Sequence, residues 1–320
     1  MADRDSLASR TLPFIKLSGG EGTPPNRPPS PLPSDLSAQE RAQVRFEVKG
    51  NILITGGAGN LGLSAARALL EHGASGCSLW DLESTIRSSQ PEILKLAQTF
   101  PKARVFAIAV DVTDAEAINE AIESVVKIGG PIRHLFCFAG IVGCHHALEM
   151  TEAQWKKILD VNTTGSFLCA QAIGKHIVGR KSNGSDAVTA EGEFTGNLIP
   201  SGGTITLIGS VSAHAVNFPQ AQAAYNVSKS AVVALKSSLA AEWAVHGIRV
   251  NSISPGYMDT ILNSGEGNIV EARKMWMSRN PMGRMGAVGE LDGMCVLLAS
   301  RAGSYINGAD MVIDGGMSVF

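Results

Sequence analysis

The apolar run Ile52-Leu53-Ile54 leads directly into Thr55-Gly56-Gly57-Ala58-Gly59-Asn60-Leu61-Gly62, and a helical pattern follows in which Ala65 and Leu69, and Ala66 and Leu70, recur four residues apart. Few local patterns restrict a fold more. A strand, a glycine turn and a helix N-terminus form an anion cradle, because backbone N–H groups and the helix dipole face the ligand and missing Cβ atoms allow close approach. From Phe46 onward, short β-rich runs alternate with helical patterns. Strands are expected near 50–55, 76–81, 104–110, 134–139, 203–209, 248–254 and 310–313, with helices near 61–72, 113–127, 151–178, 224–246 and 287–299. Unbroken apolar runs such as Val105 to Val110 suit strands covered on both faces.

This alternation predicts a single α/β domain over 46–320, doubly wound and Rossmann-type, with a seven-stranded, mostly parallel sheet and helices on both faces. Residues 1–45 read differently. Pro24, Pro25, Pro28, Pro29, Pro31 and Pro33 favour extended polyproline II and cannot build a core, which predicts a flexible or oligomer-draped tail. The tail has few bases, offset by Asp3 and Asp5, and no secretory apolar region. Residues 179–203 read as a polar surface insertion. Residues 257–286 read as a substrate loop, because a long segment after a strand end is where such sheets place their ligand.

Charge restricts the partners. With 27 basic and 29 acidic residues the net charge is −2, which argues against nucleic acid or an anionic membrane surface. No apolar stretch reaches the eighteen or so residues of a membrane span. The five cysteines form no C-x-x-C pair, which predicts free, mostly buried thiols in a reducing, cytoplasmic setting. His145-His146 lacks a second ligand pair, so no metal is expected.

Two further features point to chemistry. Asp81 ends the second expected strand, nineteen residues after Gly62, where a carboxylate accepts hydrogen bonds from the adenosine ribose hydroxyls of a dinucleotide. It would repel a 2′-phosphate, and Arg87, six residues on, is the nearest base in sequence; NAD(H) is therefore favoured, with NADP(H) open. A strand-capping role for Asp81 is the plainer alternative. Tyr225 and Lys229 lie four apart on a helical segment and share a face. A free phenol has a pKa of about 10. One ammonium about 4 Å away, at an effective dielectric of about 20, supplies the roughly 4 kcal/mol needed to bring it to about 7. A dinucleotide cradle with such a pair implies hydride transfer.

The chain resembles the short-chain dehydrogenase/reductase family from about Phe46 to Phe320. The family's motifs stand in order: the glycine turn, Asp111-Val112 after the third strand, Ala139-Gly140 after the fourth, Asn162 in Val161-Asn162-Thr163-Thr164-Gly165, Ser210, the Tyr225/Lys229 pair, Pro255-Gly256 with Thr260, and Asp314-Gly315-Gly316. The resemblance implies that Ser210, Tyr225, Lys229 and Asn162 are catalytic. It also implies that Gly56, Gly57, Gly59, Asn60, Leu61, Gly62, Asp81, Asp111, Val112, Ala139, Gly140, Tyr225, Lys229, Pro255, Gly256 and Thr260 bind the cofactor. In this scheme Ser210 hydrogen-bonds the substrate oxygen, Lys229 holds the nicotinamide ribose, Asn162 orders a water that relays protons to Lys229, and Thr260 holds the carboxamide.

Three positions depart from the family pattern. Asn60 replaces a glycine, which a left-handed backbone would tolerate; Cys137-Phe138 replaces an Asn pair; and Ser210 stands fifteen residues before Tyr225, so Ser212 is a rival. The string Ser210-Val211-Ser212-Ala213-His214 through Asn217-Phe218-Pro219-Gln220-Ala221-Gln222 is similar to a polyol dehydrogenase and ketose reductase branch of the mannitol, arabinitol and xylulose type. That implies a small-molecule alcohol or ketone substrate and a homotetramer or homodimer packed through helices near 151–178 and 224–246. Two other readings stay open. One is an NADPH-dependent ketoreductase on a biosynthetic intermediate, suggested by the apolar Met275-Trp276-Met277 segment. The other is a cofactor-binding scaffold or sensor without turnover.

Overall fold

The computed structural model describes residues 13–18, 28–182 and 202–320. In chain order the elements are helix α1 (Ala38–Phe46), strand β1 (Asn51–Thr55), α2 (Asn60–Glu71), β2 (Gly76–Asp81), α3 (Glu83–Ser88), α4 (Gln90–Thr99), β3 (Arg104–Ala109), α5 (Ala115–Gly129), β4 (Ile132–Cys137), α6 (Glu152–Leu159), α7 (Gly165–Ser182), β5 (Gly203–Ile208), α8 (Ala223–Trp243), β6 (Ile248–Pro255), α9 (Asn268–Ser278), α10 (Asp292–Ala299) and β7 (Asp310–Ile313). The strands form one sheet in the order β3-β2-β1-β4-β5-β6-β7, and every pairing is parallel.

Strand periodicity divides the core. Ile52 and Ile54 join Leu79, Phe136 and Ile253 under α2 and α10, through Ala65, Leu69 and Cys295. Leu53, one residue out of phase, joins Trp80, Leu135, Ile205 and Val250 beneath α5, α7 and α8, through Ile118, Ile173 and Val232. Successive strand side chains point to opposite faces, so a strand with both faces covered must be apolar throughout. The order reverses between β1 and β4, which opens a crevice at the carboxyl ends of those strands.

Four expectations need correction. Helix α1 lies almost wholly in the expected tail; Ser37 and Glu40 cap it reciprocally and no residue of it is buried. The stretch 83–99, expected to be without elements, carries α3 and α4. The expected helix 151–178 is broken by a π-turn over Asp160–Thr164. The expected loop 257–286 contains α9. Most of the 179–203 insertion lies outside the described residues. Cys77, Cys137, Cys169 and Cys295 are buried free thiols and Cys144 is an exposed one. Among the described residues no helix is long and apolar enough to cross a membrane.

Candidate active site

The glycine turn closes against β4. Gly56 adopts φ +67°, and a Cβ there would stand 2.6 Å from the Ala139 nitrogen; one on Gly62 would stand 2.4 Å from the Gly56 oxygen. Gly57 is equally confined by Ile54 and Leu79, whereas Gly59 meets only Gly56 O at 3.3 Å. Gly59 caps α2 without a side-chain hydrogen bond, so the first turn at Asn60, Leu61 and Gly62 has no side-chain cap. A narrow, side-chain-free cradle at a helix N-terminus fits a dinucleotide pyrophosphate. Asn60 needs no left-handed backbone, because it is the first helical residue and among the described residues no non-glycine residue has positive φ.

Asp81 sits beside this turn. Its Oδ2 accepts from Ala58 N at 3.2 Å and its Oδ1 from Leu82 N at 2.9 Å. Arg87 is paired with Glu83 on the exposed face of α3. At the next strand end, Asp111 accepts from the backbone and hydroxyl of Thr113, and Val112 is buried against Gly165. Ala139 N donates to Thr55 Oγ1, and a Cβ on Gly140 would stand 3.2 Å from Asn162 Oδ1 and 3.6 Å from Lys229 Nζ.

Ser210, Tyr225 and Lys229 line one cavity of about 160 Å³ at the carboxyl end of the sheet, together with Leu61, Phe138, Gly140, Pro255, Gly256 and Thr260. Ser210 Oγ donates to Ser212 Oγ at 3.0 Å and accepts from Ser212 N at 3.1 Å, so the two serines form one unit. Lys229 Nζ donates to Ile208 O at 2.8 Å and lies 5.7 Å from the centre of the Tyr225 ring. Burial lowers the Lys229 pKa to about 8. Burial also raises the Tyr225 phenol, against a hydrogen bond from Ser210 that lowers it. Desolvation therefore outweighs any lowering of the phenol by the ammonium, and the amine donates to a backbone carbonyl.

Asn162 lies in the π-turn and is fully buried. Its Oδ1 accepts from Ile141 N, and its Nδ2 donates to Ile141 O and Ser228 Oγ. Through these bonds the side chain braces the strand-end turn against α8. Its carbonyl accepts from Ser166 Oγ.

Comparison with known proteins agrees with this geometry. The short chain dehydrogenase family profile matches residues 50–190, and the profile described as Enoyl-(Acyl carrier protein) reductase matches 187–318. An NADP-dependent mannitol dehydrogenase of Alternaria alternata is 34% identical, covering 86% of this chain and 94% of its own. The chain belongs to the short-chain dehydrogenase/reductase family. A galactitol 2-dehydrogenase (L-tagatose-forming) of Cereibacter sphaeroides is also 34% identical, over 83% of this chain and 94% of that protein. The crystal structure of a short-chain type dehydrogenase/reductase from Mycobacterium marinum superposes with a TM-score of 0.74 at 34% identity, covering 86% and 98% of the two chains. As a member of the family this dehydrogenase is an oxidoreductase that acts on alcohol groups with a nicotinamide cofactor.

The substrate-facing wall of this short-chain dehydrogenase was only partly expected from its sequence. Asn217, Gln220 and Gln222 from the segment before α8, and Tyr257 and Asn263 from the segment after β6, line the cavity. Tyr257 stacks on Trp276, their ring centres 4.1 Å apart. Trp276 is buried with Ala272 and Met285 in a small satellite core. The apolar segment that suggested a hydrophobic substrate therefore packs on itself, behind a polar wall.

Proposed function

We propose that this dehydrogenase interconverts a polyol and the corresponding ketose with NAD(H). The carrying observation is the set of carboxamides, Asn217, Gln220, Gln222 and Asn263, in the cavity that Ser210 and Tyr225 line. Amides donate and accept, so they can replace the water that a polyhydroxylated substrate gives up. The relatives named for mannitol and galactitol support the same substrate class. A hydrophobic ketone would leave the buried Asn217 Oδ1 unpaired.

The glycine turn with Asn60, Leu61 and Gly62 fits the pyrophosphate, and Asp81 the adenosine ribose. Lys229, Pro255-Gly256 and Thr260 fit the nicotinamide half. When bound, the nicotinamide supplies or accepts the hydride. Tyr225 holds the proton that moves to or from the substrate oxygen, and Ser210, its hydroxyl turned from Ser212 Oγ while Ser212 N still donates to it, donates a hydrogen bond to that oxygen. The raised phenol keeps its proton at neutral pH, which suits ketone reduction as the resting direction. Lys229, charged below about pH 8, stabilises the phenolate that forms there.

Asp81 underlies the choice of NAD(H), against the names of the relatives: the mannitol dehydrogenases of Alternaria alternata and Hypocrea jecorina are both named NADP-dependent. A phosphate charge about 5 Å from a carboxylate, at an effective dielectric of about 20, costs about 3 kcal/mol. Glu83 holds Arg87 by an exposed pair rather than leaving it to offset that repulsion. The testing experiment measures kcat/KM with NADH and NADPH over ketoses and apolar ketones. The expected result is at least tenfold preference for NADH with a ketose; faster turnover of apolar ketones with NADPH would replace this reading with that of a biosynthetic ketoreductase.

A further inference from the structure

Both Asn217 and Gln220 donate from their side-chain nitrogens to the Tyr257 phenol oxygen, each at 2.8 Å. The orientation of Gln220 follows from a third partner. The Trp276 indole can only donate, and it reaches Gln220 Oε1 at 3.1 Å, which leaves the amide nitrogen for the phenol. The Tyr257 ring is held as well, stacked on Trp276 with an interplanar angle of 7°.

A phenol oxygen accepts two hydrogen bonds and donates one. Two donors already occupy Tyr257, so its own proton is the group left to offer. Asn217 Oδ1, on the same carbon as the donating nitrogen, is buried without a partner. Both residues line the cavity that holds Ser210 and Tyr225. An unused donor beside an unused acceptor fits an alcohol, which accepts and donates through one oxygen. A carbonyl or ether has no proton for Asn217, and an ammonium has no lone pair for Tyr257.

We propose that Tyr257 and Asn217 form a recognition couple for a non-reacting hydroxyl of the substrate, on a carbon other than the one handled by Ser210 and Tyr225. With two oxygens held, the substrate is fixed in one register, and the enzyme selects polyols and hydroxyketones over simple secondary alcohols. This inference rests on the polyol reading above and specifies how that reading is carried out.

The test compares kcat/KM for a six-carbon polyol and its monodeoxy analogues, using the full chain and its Tyr257→Phe and Asn217→Ala variants. Removing one particular hydroxyl is expected to cost the wild type about 30-fold, and Tyr257→Phe about twofold, as for a lost hydrogen bond at a buried site. Asn217→Ala should lose discrimination at that same position, while the ratios for the other deoxy analogues stay as in the wild type. Equal wild-type tolerance of every deoxy analogue would overturn the couple even if no variant folds. So would a Tyr257→Phe variant as discriminating as the wild type; in either case turnover of the polyol keeps the broader reading intact. No wild-type turnover of any polyol would remove that reading and the couple with it.

Discussion

The two ends of the parallel sheet both carry buried polar groups, and they treat them oppositely. At the amino end every named polar side chain is engaged. His134 bonds Thr204 Oγ1 and Lys49 O, and Arg249 donates to Ile306 O and Leu298 O. Asn251 pairs with Ile306 O and Ala309 N, and Asn307 with Val250 N and Ala240 O. At the carboxyl end Asn217 Oδ1 and Asn226 Oδ1 are buried without partners, and an uncapped helix N-terminus faces the crevice. Buried polar groups are costly unless paired. A saturated network therefore belongs to stability, and an unsaturated one to whatever binds there. The comparison predicts that substitutions of the unpartnered carboxyl-end groups change turnover or selectivity and leave stability nearly untouched, while those in the saturated amino-end network do the reverse.

The sharpest test is Tyr225→Phe. Removing a proton donor at the reacting oxygen is expected to lower kcat by about 10³-fold, with the cofactor Kd and the Tm close to wild type. The pH dependence follows from the raised phenol. Alcohol oxidation must begin from the phenolate, so its rate rises with pH through the alkaline range, whereas ketone reduction starts from the protonated phenol and is flat near neutrality. A variant that retains either the rate or the alkaline rise shows that another group carries the proton.

The second test concerns the other side of the crevice. Asp81→Asn removes the charge that faces a 2′-phosphate but keeps an acceptor for Ala58 N. The ratio of kcat/KM for NADH over NADPH is expected to fall about 50-fold, since removing one repulsive charge at this range is worth about 2 to 3 kcal/mol. An unchanged ratio would mean that the carboxylate only fastens the glycine turn, as its bonds to Ala58 and Leu82 already do.

What could be read in the chain divides along the same line. Strand β2 falls where the apolar run predicts it, because a strand buried on both faces has one composition throughout, and β7, a half-exposed edge strand, falls where its short apolar run Met311-Val312-Ile313 predicts it. Tyr225 and Lys229 were legible because four residues along a helix means one face. That spacing says nothing about where a long amine ends, and Ile208 O takes it. Helix α1 had a signal in Ser37-x-x-Glu40, masked by the prolines before it. Helix α9 had a short signal, Ile269, Ala272 and Trp276 at i, i+3 and i+7, masked by Gly265 and Gly267 before it. Asn217, Gln220 and Tyr257 meet across separate loops, so no period in the sequence joins them. The closed amino end, likewise, is invisible without coordinates.

The smallest effect tests the amino end alone. Burial depresses His134 to about 3, while in the unfolded chain it titrates at about 6.5. Between these values the unfolded state binds one more proton than the native state, so stability rises with pH across that window and is lost as pH falls through it. At pH 5 the loss from this residue alone is about 2 kcal/mol relative to neutral pH. His134→Gln should flatten the acid limb of stability against pH by about one proton, at whatever fixed cost the new side chain brings, and should leave the pH profile of turnover alone. A shifted turnover profile would mean that the two ends of the sheet are coupled. An acid limb as steep as the wild type would assign acid sensitivity to other groups and leave His134 as simple packing.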